Sequence, residues 1–326
     1  MKSHKLITTQ PIINWLYFTA FTVFAMAVIG AITRLTESGL SMVEWRPLIG
    51  ALPPLNEAEW NRVFALYQET PEFQKKNMGM ELAEFKNIFF WEWFHRLWGR
   101  MIGIIYVLPL LYFWMRKQIP EGYKIKLFIG LILGGLQGLM GWYMVKSGLI
   151  DRPSVSHFRL AAHLSLAFVI FSYLLWIAFS LRRTITILSS FCLKRHGWIA
   201  FIFVTITVIW GAFTAGLDAG LVYNTWPMMG SHWVPPELSA FIHIFNDPVS
   251  VQFTHRWIAV LTGILVLSFA YRVKSFPLAG MMLLQIGLGI LTLLMQVPIH
   301  LAAAHQGGAF ILTGIMMYHL QRMMQK

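Results

Sequence analysis

Eight runs of about 20 mainly apolar residues dominate this 326-residue chain. A run of that length spans the hydrocarbon core of a bilayer as an α-helix, because lipid offers no hydrogen-bond partner to an irregular backbone. The runs cover residues 13–33, 94–115, 125–145, 160–181, 198–217, 253–271, 277–297 and 301–320. Only 12% of the residues are charged, about half the proportion in a soluble domain. The sequence therefore predicts an all-α integral membrane protein with eight transmembrane helices embedded in the lipid bilayer.

The basic residues are unevenly distributed between the two ends of the predicted helices. An even number of spans puts both termini on one side, and this side holds 14 of the 26 Lys and Arg residues but only one acid, Glu121. The basic residues on this side are Lys2, Lys5, Arg116, Lys117, Lys124, Lys126, Arg182, Arg183, Lys194, Arg195, Arg272, Lys274, Arg322 and Lys326. Cytoplasmic loops carry an excess of Lys and Arg, so both termini are predicted to be cytoplasmic.

This topology also accounts for the net charge of +12, so no nucleic-acid partner is expected. No Arg- and Ser-rich transit segment precedes the first apolar run, which favours a bacterial plasma (inner) membrane over an organelle. The expected protein is a multi-pass protein of the bacterial plasma membrane.

The chain contains two copies of one four-helix unit. The repeated blocks are "GAITRLTESGL" at 30–40 with "GAFTAGLDAGL" at 211–221, "FHRLWGRMIGIIYVLPL" from 94 with "THRWIAVLTGILVLSFA" from 254, "LQ" at 136–137 with "LQ" at 284–285, and "FRLAAHLSLAFVI" from 158 with "HLAAAHQGGAFIL" from 300. Because the four blocks follow one another in the same order, we predict two pseudo-symmetric four-helix bundles, formed by residues 1–190 and 191–326.

Four histidines occupy equivalent positions in the two copies: His95 and His163 in the first, His255 and His305 in the second. Each lies near the outer start of an even-numbered predicted helix, so all four should share one depth in the outer half of the membrane. Two facing imidazoles between bundle helices are a common way to hold a haem iron, and we predict one haem for each pair. Alternatively, a membrane histidine only bonds a neighbouring helix, which is the interpretation for the seven histidines without a repeat partner. Zinc is disfavoured because no cysteine or carboxylate cluster completes a four-ligand shell.

An arginine follows the first histidine of each pair, at Arg96 and Arg256. Each guanidinium could bind haem propionates in a fork, or extend to the membrane interface without a ligand. Both interpretations remain open at this stage.

Glu92 distinguishes the two copies, because the equivalent residue in the second copy is Gln252. Glu92 precedes His95 by three residues and therefore lies on the same helix face. It is either a first-turn glutamate stabilised by the helix dipole or a carboxylate that moves protons beside one iron site only. In the second case, one haem is a substrate and the other an electron carrier.

Two predicted outer segments could cover these sites. Residues 56–69 predict a short amphipathic helix with Asn56 and Glu59 as a capping pair. The Trp- and Pro-rich residues 223–237 are the corresponding segment of the second copy. An ordinary interfacial belt of aromatic residues is the alternative for both.

With the eight spans and the duplication, the chain resembles the haem A synthase family along nearly its whole length. The shared motifs are "ExxHR" at 92–96, "RLAAH" at 159–163, "THR" at 254–256 and "HQ" at 305–306. Cys192 is the single cysteine, so the outer-loop cysteine pairs of some members are missing. The chain is similar to the cysteine-free branch of proteobacteria and mitochondria.

The resemblance implies an oxidation of a haem O methyl group to a formyl group, through successive hydroxylations, which gives haem A for terminal oxidases. It implies that His255 and His305 hold a resident haem b. His95 and His163 then match the site of the substrate haem, and Glu92 matches the functional glutamate of the family. The implied partners are haem O, the haem O synthase and an electron donor.

Without the resemblance, two other classes of protein stay open. One is a diheme b-type electron-transfer cytochrome that leaves both haems unaltered, and the other is a haem transporter or chaperone. Glu92, which has no ionisable counterpart, favours the enzyme because an electron carrier needs no unequal carboxylate.

Overall fold

The computed structural model describes residues 9–44, 49–151, 154–182, 189–238 and 244–324. Its α-helices are α1 (Gln10–Leu35), α2 (Glu57–Gln68), α3 (Pro71–Lys76), α4 (Leu82–Met115), α5 (Lys124–Asp151), α6 (His157–Leu181), α7 (Phe191–Gly216), α8 (Pro248–Arg272), α9 (Phe276–Leu294) and α10 (Ile299–Met324). Single 3-10 turns occur at Ile49–Ala51 and Ala219–Leu221. The predicted all-α class is confirmed.

Among the described residues, seven helices are long and apolar enough to cross a membrane: α1 and α4 to α9. Helix α10 is also long, with 26 residues, but it carries polar side chains such as His300, Gln306 and Gln321 along its length. The predicted break between the runs 277–297 and 301–320 is confirmed, because α9 ends at Leu294 and α10 begins at Ile299. Multiple membrane-spanning helices are therefore supported, and α10 as the eighth span stays a prediction.

Helix α4 differs most from the prediction. It has 34 residues and begins at Leu82, well before the predicted start at residue 94. At about 1.5 Å per residue, it is ~51 Å long and extends beyond a hydrocarbon core of ~30 Å. Its first turns escaped a search for apolar runs because they include Glu84 and Lys86. The side chain of Glu84 accepts a hydrogen bond from the backbone N–H of Glu81 at 3.1 Å, which caps this start.

The long helices pack in two cyclic orders. In the first half, α1 and α5 each pack against both α4 and α6. In the second half, α7 and α9 each pack against both α8 and α10. The halves meet where α6 and α1 pack on α10 and α6 packs on α7, and Phe310 is buried there with its ring 3.8 Å from that of Phe168. In each half, the two histidine-bearing helices therefore stand at opposite corners of a ring.

A proline inside α4 makes this helix depend on α1. Pro109 has no N–H to donate, so the carbonyl of Ile105 loses its partner within the helix. The indole N–H of Trp15 on α1 donates to that carbonyl at 2.9 Å. Such a partner is needed because an unpaired carbonyl is costly in a lipid environment.

The short helix α2 covers the first turns of α4, and α3 packs against α2 and α5. The side chain of Asn56 accepts from the backbone N–H of Glu59 at 2.9 Å, as predicted for the start of α2. The Trp60 ring lies 5.1 Å from that of Phe89, and the Phe64 ring lies 5.0 Å from that of Phe85. The predicted amphipathic helix is thus confirmed, and its apolar face packs on the extension of α4.

Candidate haem-binding sites

The structure brings the four predicted histidines into two pairs. His95 on α4 and His163 on α6 lie close enough to interact electrostatically, and so do His255 on α8 and His305 on α10. Since the helices of each pair stand at opposite corners of a ring, the two imidazoles approach the same interior space from opposite sides. The expectation that each histidine lies near a helix start is wrong for His95, which falls in the fourth turn of the extended α4.

Each imidazole lies against a glycine of a neighbouring helix. A Cβ built on Gly30 would lie 3.3 Å from His95 Nε2, and one on Gly211 would lie 3.3 Å from His255 Cε1. We call the space that the missing side chain of such a glycine leaves for an imidazole a glycine recess. Gly30 and Gly211 are aligned in the sequence repeat, so the same recess occurs in both halves.

The second histidine of each pair has the same kind of neighbour. A Cβ on Gly141 would lie 3.1 Å from His163 Cε1, and one on Gly289 would lie 2.9 Å from His305 Cε1. Both glycines follow the repeated "LQ" glutamine by four residues. Sequence reasoning missed this pair, although their equal offset from the "LQ" motif was a usable signal.

The ring nitrogens fit a metal-binding role. Nδ1 of His163 and Nδ1 of His255 are buried and have no hydrogen-bond partner among the described residues. A buried polar nitrogen without a partner costs free energy. Each pair thus contains one ring nitrogen in this condition, and all four rings lie in glycine recesses, which together form a donor set that fits a haem iron. When bound, the haem iron would be held by one nitrogen from each ring of a pair.

Glu92 lies at the centre of a buried network in the first half, with 2% of its surface exposed. Its carboxylate accepts from the Ser41 hydroxyl and from the Met42 backbone N–H, both at 2.7 Å, and pairs with Arg96. Arg96 also donates to the Met42 carbonyl at 3.0 Å. The network therefore ties α4 to the segment that follows α1. The interpretation of Glu92 as a first-turn glutamate is wrong, because α4 begins ten residues before it, at Leu82.

The second half makes the corresponding tie without a carboxylate. Gln252 donates to the Tyr223 carbonyl at 3.0 Å. Arg256 donates to the carbonyls of Tyr223 and Thr225, both at 2.8 Å. Residues 223–237, predicted to cover this half, are thus attached directly to the start of α8.

The guanidinium groups of Arg96 and Arg256 have different hydrogen-bond partners. Arg96 uses Nη2 for both Glu92 and the Met42 carbonyl. Arg256 is 8% exposed, and its Nε is buried without a partner in the described part of the chain. That remaining donor fits a carboxylate such as a haem propionate.

Most of the other histidines have protein partners. The ring of His196 lies 3.2 Å from the Leu265 carbonyl, His319 Nε2 lies 2.8 Å from the Ser275 hydroxyl, and the His157 ring packs 5.8 Å from that of Phe213. His232 contacts the Ser231 hydroxyl at 3.1 Å, and His300 is exposed. His4 and His243 lie outside the described residues. These contacts agree with a packing role for the histidines that lack a repeat partner.

A buried carboxyl in the outer helices was missed by sequence reasoning. Glu72 on α3 is 4% exposed and accepts from the Tyr67 hydroxyl at 3.1 Å, to which Asn77 donates at 2.7 Å. Burial, assisted by the negative charge of Glu92, raises the pKa of Glu72 to about 8, against the opposing effect of its Tyr67 hydrogen bond. The carboxyl therefore stays largely protonated at neutral pH. No local sequence pattern indicates this burial, because it arises only when α3 packs against α2 and α5.

The fold and the paired histidines define an all-α, multi-pass membrane protein with candidate haem sites. Residues 13–317 match the family described as cytochrome oxidase assembly protein, so the chain belongs to this family. The protein named heme A synthase from Rhodospirillum centenum is 47% identical over 94% of this chain and 86% of its own length.

Two further relatives carry the same name. The Nitrosospira multiformis protein is 46% identical over 94% of this chain and 92% of its own length, and the Maricaulis maris protein is 43% identical over 96% of both chains. The predicted family resemblance is confirmed.

Proposed function

We propose that this chain is a membrane-bound oxidoreductase that oxidises a methyl group of haem O to a formyl group, through hydroxylated intermediates. Its product is haem A, which terminal oxidases use. The observation that carries the proposal is the 47% identity, over 94% of the chain, to a protein named heme A synthase. Haem O is thus the substrate and haem A the product.

His95 and His163 are proposed to hold the iron of the substrate haem, and His255 and His305 that of a resident haem b. Support comes from the facing positions of each pair and from the glycine recess beside every ring. When bound, haem b supplies a one-electron carrier near the substrate. Arg256 is proposed to bind a propionate through its buried Nε, and Arg96 holds Glu92 while remaining a candidate for the same role in the first half.

Glu92 is proposed to be the acid–base group of the substrate site. Oxidation of a methyl carbon releases protons, and a carboxylate on the same helix as His95, one turn away, can accept or relay them. The Ser41 hydroxyl, the Met42 N–H and Arg96 hold its two oxygens in place and stabilise its charge away from water. Removal of a proton from the site then needs no rearrangement of α4.

The chain is proposed to cross the membrane eight times as two four-helix bundles, residues 1–190 and 191–326, with haem sites toward the outer side and both termini in the cytoplasm. The described basic residues of the predicted inner side cluster at the ends of α4, α6, α8 and α10 and the starts of α5 and α7. Lys2, Lys5, Arg183 and Lys326 lie outside the described residues.

Cys192, exposed near the start of α7, tests this orientation. An impermeant thiol reagent should leave it unlabelled in intact spheroplasts and label it once the membrane is opened. A matched control is Met78→Cys combined with Cys192→Ser, since Met78 is 77% exposed in the outer segment and should label at once. Prompt labelling of Cys192 from outside would contradict cytoplasmic termini.

The haem O synthase and an electron donor are proposed as partners. Haem O is poorly soluble in water, so direct transfer from the enzyme that makes it avoids exposure to the aqueous phase. Oxidation of the methyl group also requires that electrons be carried between the haems and a second protein or small carrier.

A diheme electron-transfer cytochrome is the alternative function. It would bind two haems with the same four histidines and would leave haem O unchanged. Glu92 favours the enzyme, because the second half ties α8 to its loop with Gln252 and needs no carboxylate for this purpose.

The function is tested in cells that make haem O but lack their own haem A-forming enzyme. Expression of the chain should convert the haem O of these cells to haem A. Chromatography and mass spectrometry of the extracted haems measure this conversion. A control variant with both His95 and His163 replaced by alanine should accumulate haem O. Unchanged haem O in cells with abundant, haem-containing wild-type protein would support the cytochrome instead.

A further inference from the structure

The two halves differ at the seam between their second and third long helices, which is α4 with α5 in the first half and α8 with α9 in the second. Helices α8 and α9 pack closely along their seam, whereas α4 and α5 make much less contact. The sequence repeat allows the two seams to be compared position by position. His95 and His255 align α4 with α8, and the "LQ" motif aligns α5 with α9.

Side chains of α9 close the seam of the second half. A Cβ built on Gly263 of α8 would lie 3.2 Å from Cδ1 of Ile286 and 3.7 Å from Cε of Met282. Gly263 and Met282 are therefore buried. Further toward the inner side, Val266 of α8 and Leu278 of α9 belong to the same buried apolar cluster as Met282. This half offers no passage between α8 and α9.

The first half has a glycine at all three aligned positions, which are Gly103 for Gly263, Gly134 for Met282 and Gly138 for Ile286. These three glycines are exposed, and a Cβ built on any of them would meet no described atom within 4 Å. Small residues usually let membrane helices approach each other closely. Here the neighbouring helix stays away from them, so the seam that side chains fill in the second half is open in the first.

Contacts define both ends of the open seam. At its inner end, the Tyr106 hydroxyl of α4 donates to the Leu127 carbonyl of α5 at 2.7 Å and lies against Gly130. At its outer end, Gly141 of α5 lies against the ring of His163. The opening is therefore a window in the wall of the first half, and not a general separation of α4 from α5.

The glycines of α5 line one face of this helix. Gly134, Gly138 and Gly141 follow Gly130 at intervals of four, four and three residues, which keeps them on the same side. The seven residues from Gly134 to Gly141 span about 10 Å of helix. The window thus begins beside His163 and extends toward the inner side of the membrane.

A ligand site lies at the outer end of this window. Nδ1 of His163 is buried and has no hydrogen-bond partner among the described residues. A buried polar atom in this condition costs free energy until a ligand binds it or orders its ring. The window therefore connects the lipid-facing surface with a proposed iron ligand of the first half.

Haem O differs from haem b in carrying a long isoprenoid tail. The tail is apolar, so it dissolves in the bilayer and needs space from the protein more than polar contacts. A closed ring of helices can hold a haem without a tail, whereas a haem with a tail needs an opening through which the tail can extend. Glycine leaves such an opening because it has no side chain.

We propose that the seam between α4 and α5 is the opening through which haem O enters the first half from the bilayer, and that its isoprenoid tail lies against Gly134 and Gly138 when it is bound. The inference rests on the proposed function, because it takes haem O as the substrate of the first half and haem b as the resident haem of the second. It assigns a role to glycines that neither bind iron nor take part in proton transfer.

The test fills the window with the side chains of the second half. Gly134→Met combined with Gly138→Ile reproduces Met282 and Ile286 in the full-length protein, which is placed in lipid nanodiscs after purification without haem O. Haem O is then added, and its binding at equilibrium is followed by absorption. The variant should bind haem O at least about 10-fold more weakly than the wild-type protein, the lower limit expected from one surplus methylene in an apolar pocket.

Haem b added in excess of the resident haem serves as a probe without a tail. Its affinity for the first half should fall much less than that of haem O in the same variant. The ratio of the two affinities therefore reports on the tail and is independent of turnover.

Gly135→Leu is the matched control on the same helix. Gly135 is exposed, and its added Cβ would also meet no described atom within 4 Å. It aligns with Leu283, which is 58% exposed and does not close the second seam. This variant should bind haem O as the wild-type protein does.

A second variant, Gly103→Leu, narrows the window from the α4 side and should also weaken the binding of haem O more than that of haem b. Replacement of glycine within a helix raises helix propensity, so the local backbone is not destabilised. Low-spin haem b in the second half shows that each variant is folded. If the α5 variant loses this haem, the same comparison in Gly103→Leu decides the question.

Two outcomes would overturn the inference alone. One is an unchanged affinity for haem O in the seam variants, and the other is a loss of haem b affinity as large as that of haem O. His163→Ala should abolish the binding of both added haems to the first half. Wild-type protein that binds no haem O would overturn the proposed function, and the inference with it.

Discussion

The two halves fasten their first histidine-bearing helix to the preceding segment in the same way, except at one position. Arg96 donates to the Met42 carbonyl, and Arg256 donates to the carbonyl of Tyr223, the equivalent residue. Glu92, however, accepts from the Met42 N–H, whereas Gln252 donates to the Tyr223 carbonyl.

This difference separates the structural task from the chemical one. The second half shows that a neutral amide is sufficient to tie the helix to its loop. A buried carboxylate carries a desolvation cost that an amide avoids, even when it is paired with an arginine. The tie alone therefore does not explain Glu92, and this supports the acid–base role proposed for it in the first half.

The largest expected effect is the loss of the resident haem from one half only. His255→Ala and His305→Ala should remove most of the low-spin haem b, because each leaves the iron with one axial ligand. His95→Ala and His163→Ala should retain that haem and lose haem A formation. Absorption spectra and haem content per polypeptide measure the difference.

The control for this experiment is His300→Ala on α10, an exposed histidine that precedes His305 by five residues. It should keep its full complement of haem. Equal haem loss from variants of both halves would mean that the halves do not hold different haems.

The second-largest expected effect comes from the position at which the two halves differ, Glu92 in the first and Gln252 in the second. Glu92→Gln should reduce haem A formation by a factor of about 10²–10⁴, the usual contribution of a general acid or base. Haem b should stay bound, since its ligands are untouched, and haem O or a partly oxidised product should accumulate. Extracted haems, measured together with the spectrum of the purified protein, distinguish this from unfolding.

The reciprocal variant is Gln252→Glu, which adds a carboxylate to the second half. It should not compensate for Glu92→Gln when the two are combined, because the new carboxylate lies beside the wrong haem. Normal haem A yield from Glu92→Gln would reduce this residue to a structural tie.

A smaller effect is expected from filling the glycine recesses. The Cβ in Gly289→Ala would lie 2.9 Å from His305 Cε1, and that in Gly211→Ala would lie 3.3 Å from His255 Cε1. Overpacking of this kind costs about 1–3 kcal/mol. Haem b should be lost more readily from Gly289→Ala than from Gly211→Ala. The release of haem b as the protein is heated measures this difference.

Gly287→Ala is the matched control on the same helix, because its added Cβ would meet no atom within 4 Å. It should retain haem b as firmly as the wild-type protein does. Equal haem release from Gly287→Ala and Gly289→Ala would contradict a specific recess.

The smallest effect concerns the outer helices of the first half. Since the pKa of Glu72 is raised from 4.5 to about 8 in the folded protein, the folded state binds a proton that the unfolded segment releases between these pH values. The stability of α2 and α3 should therefore fall as the pH rises through this window. Tyr67, Glu92, Glu37 and Lys76 are the other titratable groups that act on Glu72.

Hydrogen exchange of residues 57–76, corrected for intrinsic rates, measures this stability at each pH. Glu72→Gln should remove most of the pH dependence. Residues 223–237 of the second half provide an internal comparison, because their carboxyl group, Glu237, is at the surface. A pH dependence that is unchanged in Glu72→Gln would show that another group controls the segment.

The sequence was sufficient to predict the helical class, the duplication and the pairing of the four histidines. Apolar length and repeated motifs depend on the local chain, so they can be read without the fold. The start of α4 could not be found in this way, because its first turns carry Glu84 and Lys86 and are stabilised by contacts with α2. The same error produced the wrong interpretation of Glu92 as a first-turn residue.

Contacts made across the fold were also beyond prediction. Gly141 and Gly289 have no chemistry of their own, and their importance depends on which side chain meets them. Glu72 reads as an ordinary surface acid until α3 folds against the chain. The donors of the hydrogen bonds to Glu92, the Ser41 hydroxyl and the Met42 backbone N–H of a distant loop, are likewise set by tertiary structure.

The hydrogen bond from Trp15 to the carbonyl freed by Pro109 has a consequence for the order of synthesis. Helix α1 leaves the ribosome before α4, so its indole is already in the bilayer when the helix that contains Pro109 arrives. A copy of the second half alone would need no such help, because α8 has no proline after its first turn. The N-terminal helix thus serves as an assembly partner for α4 during insertion, and a chain from which it is deleted should insert α4 with an unsatisfied carbonyl.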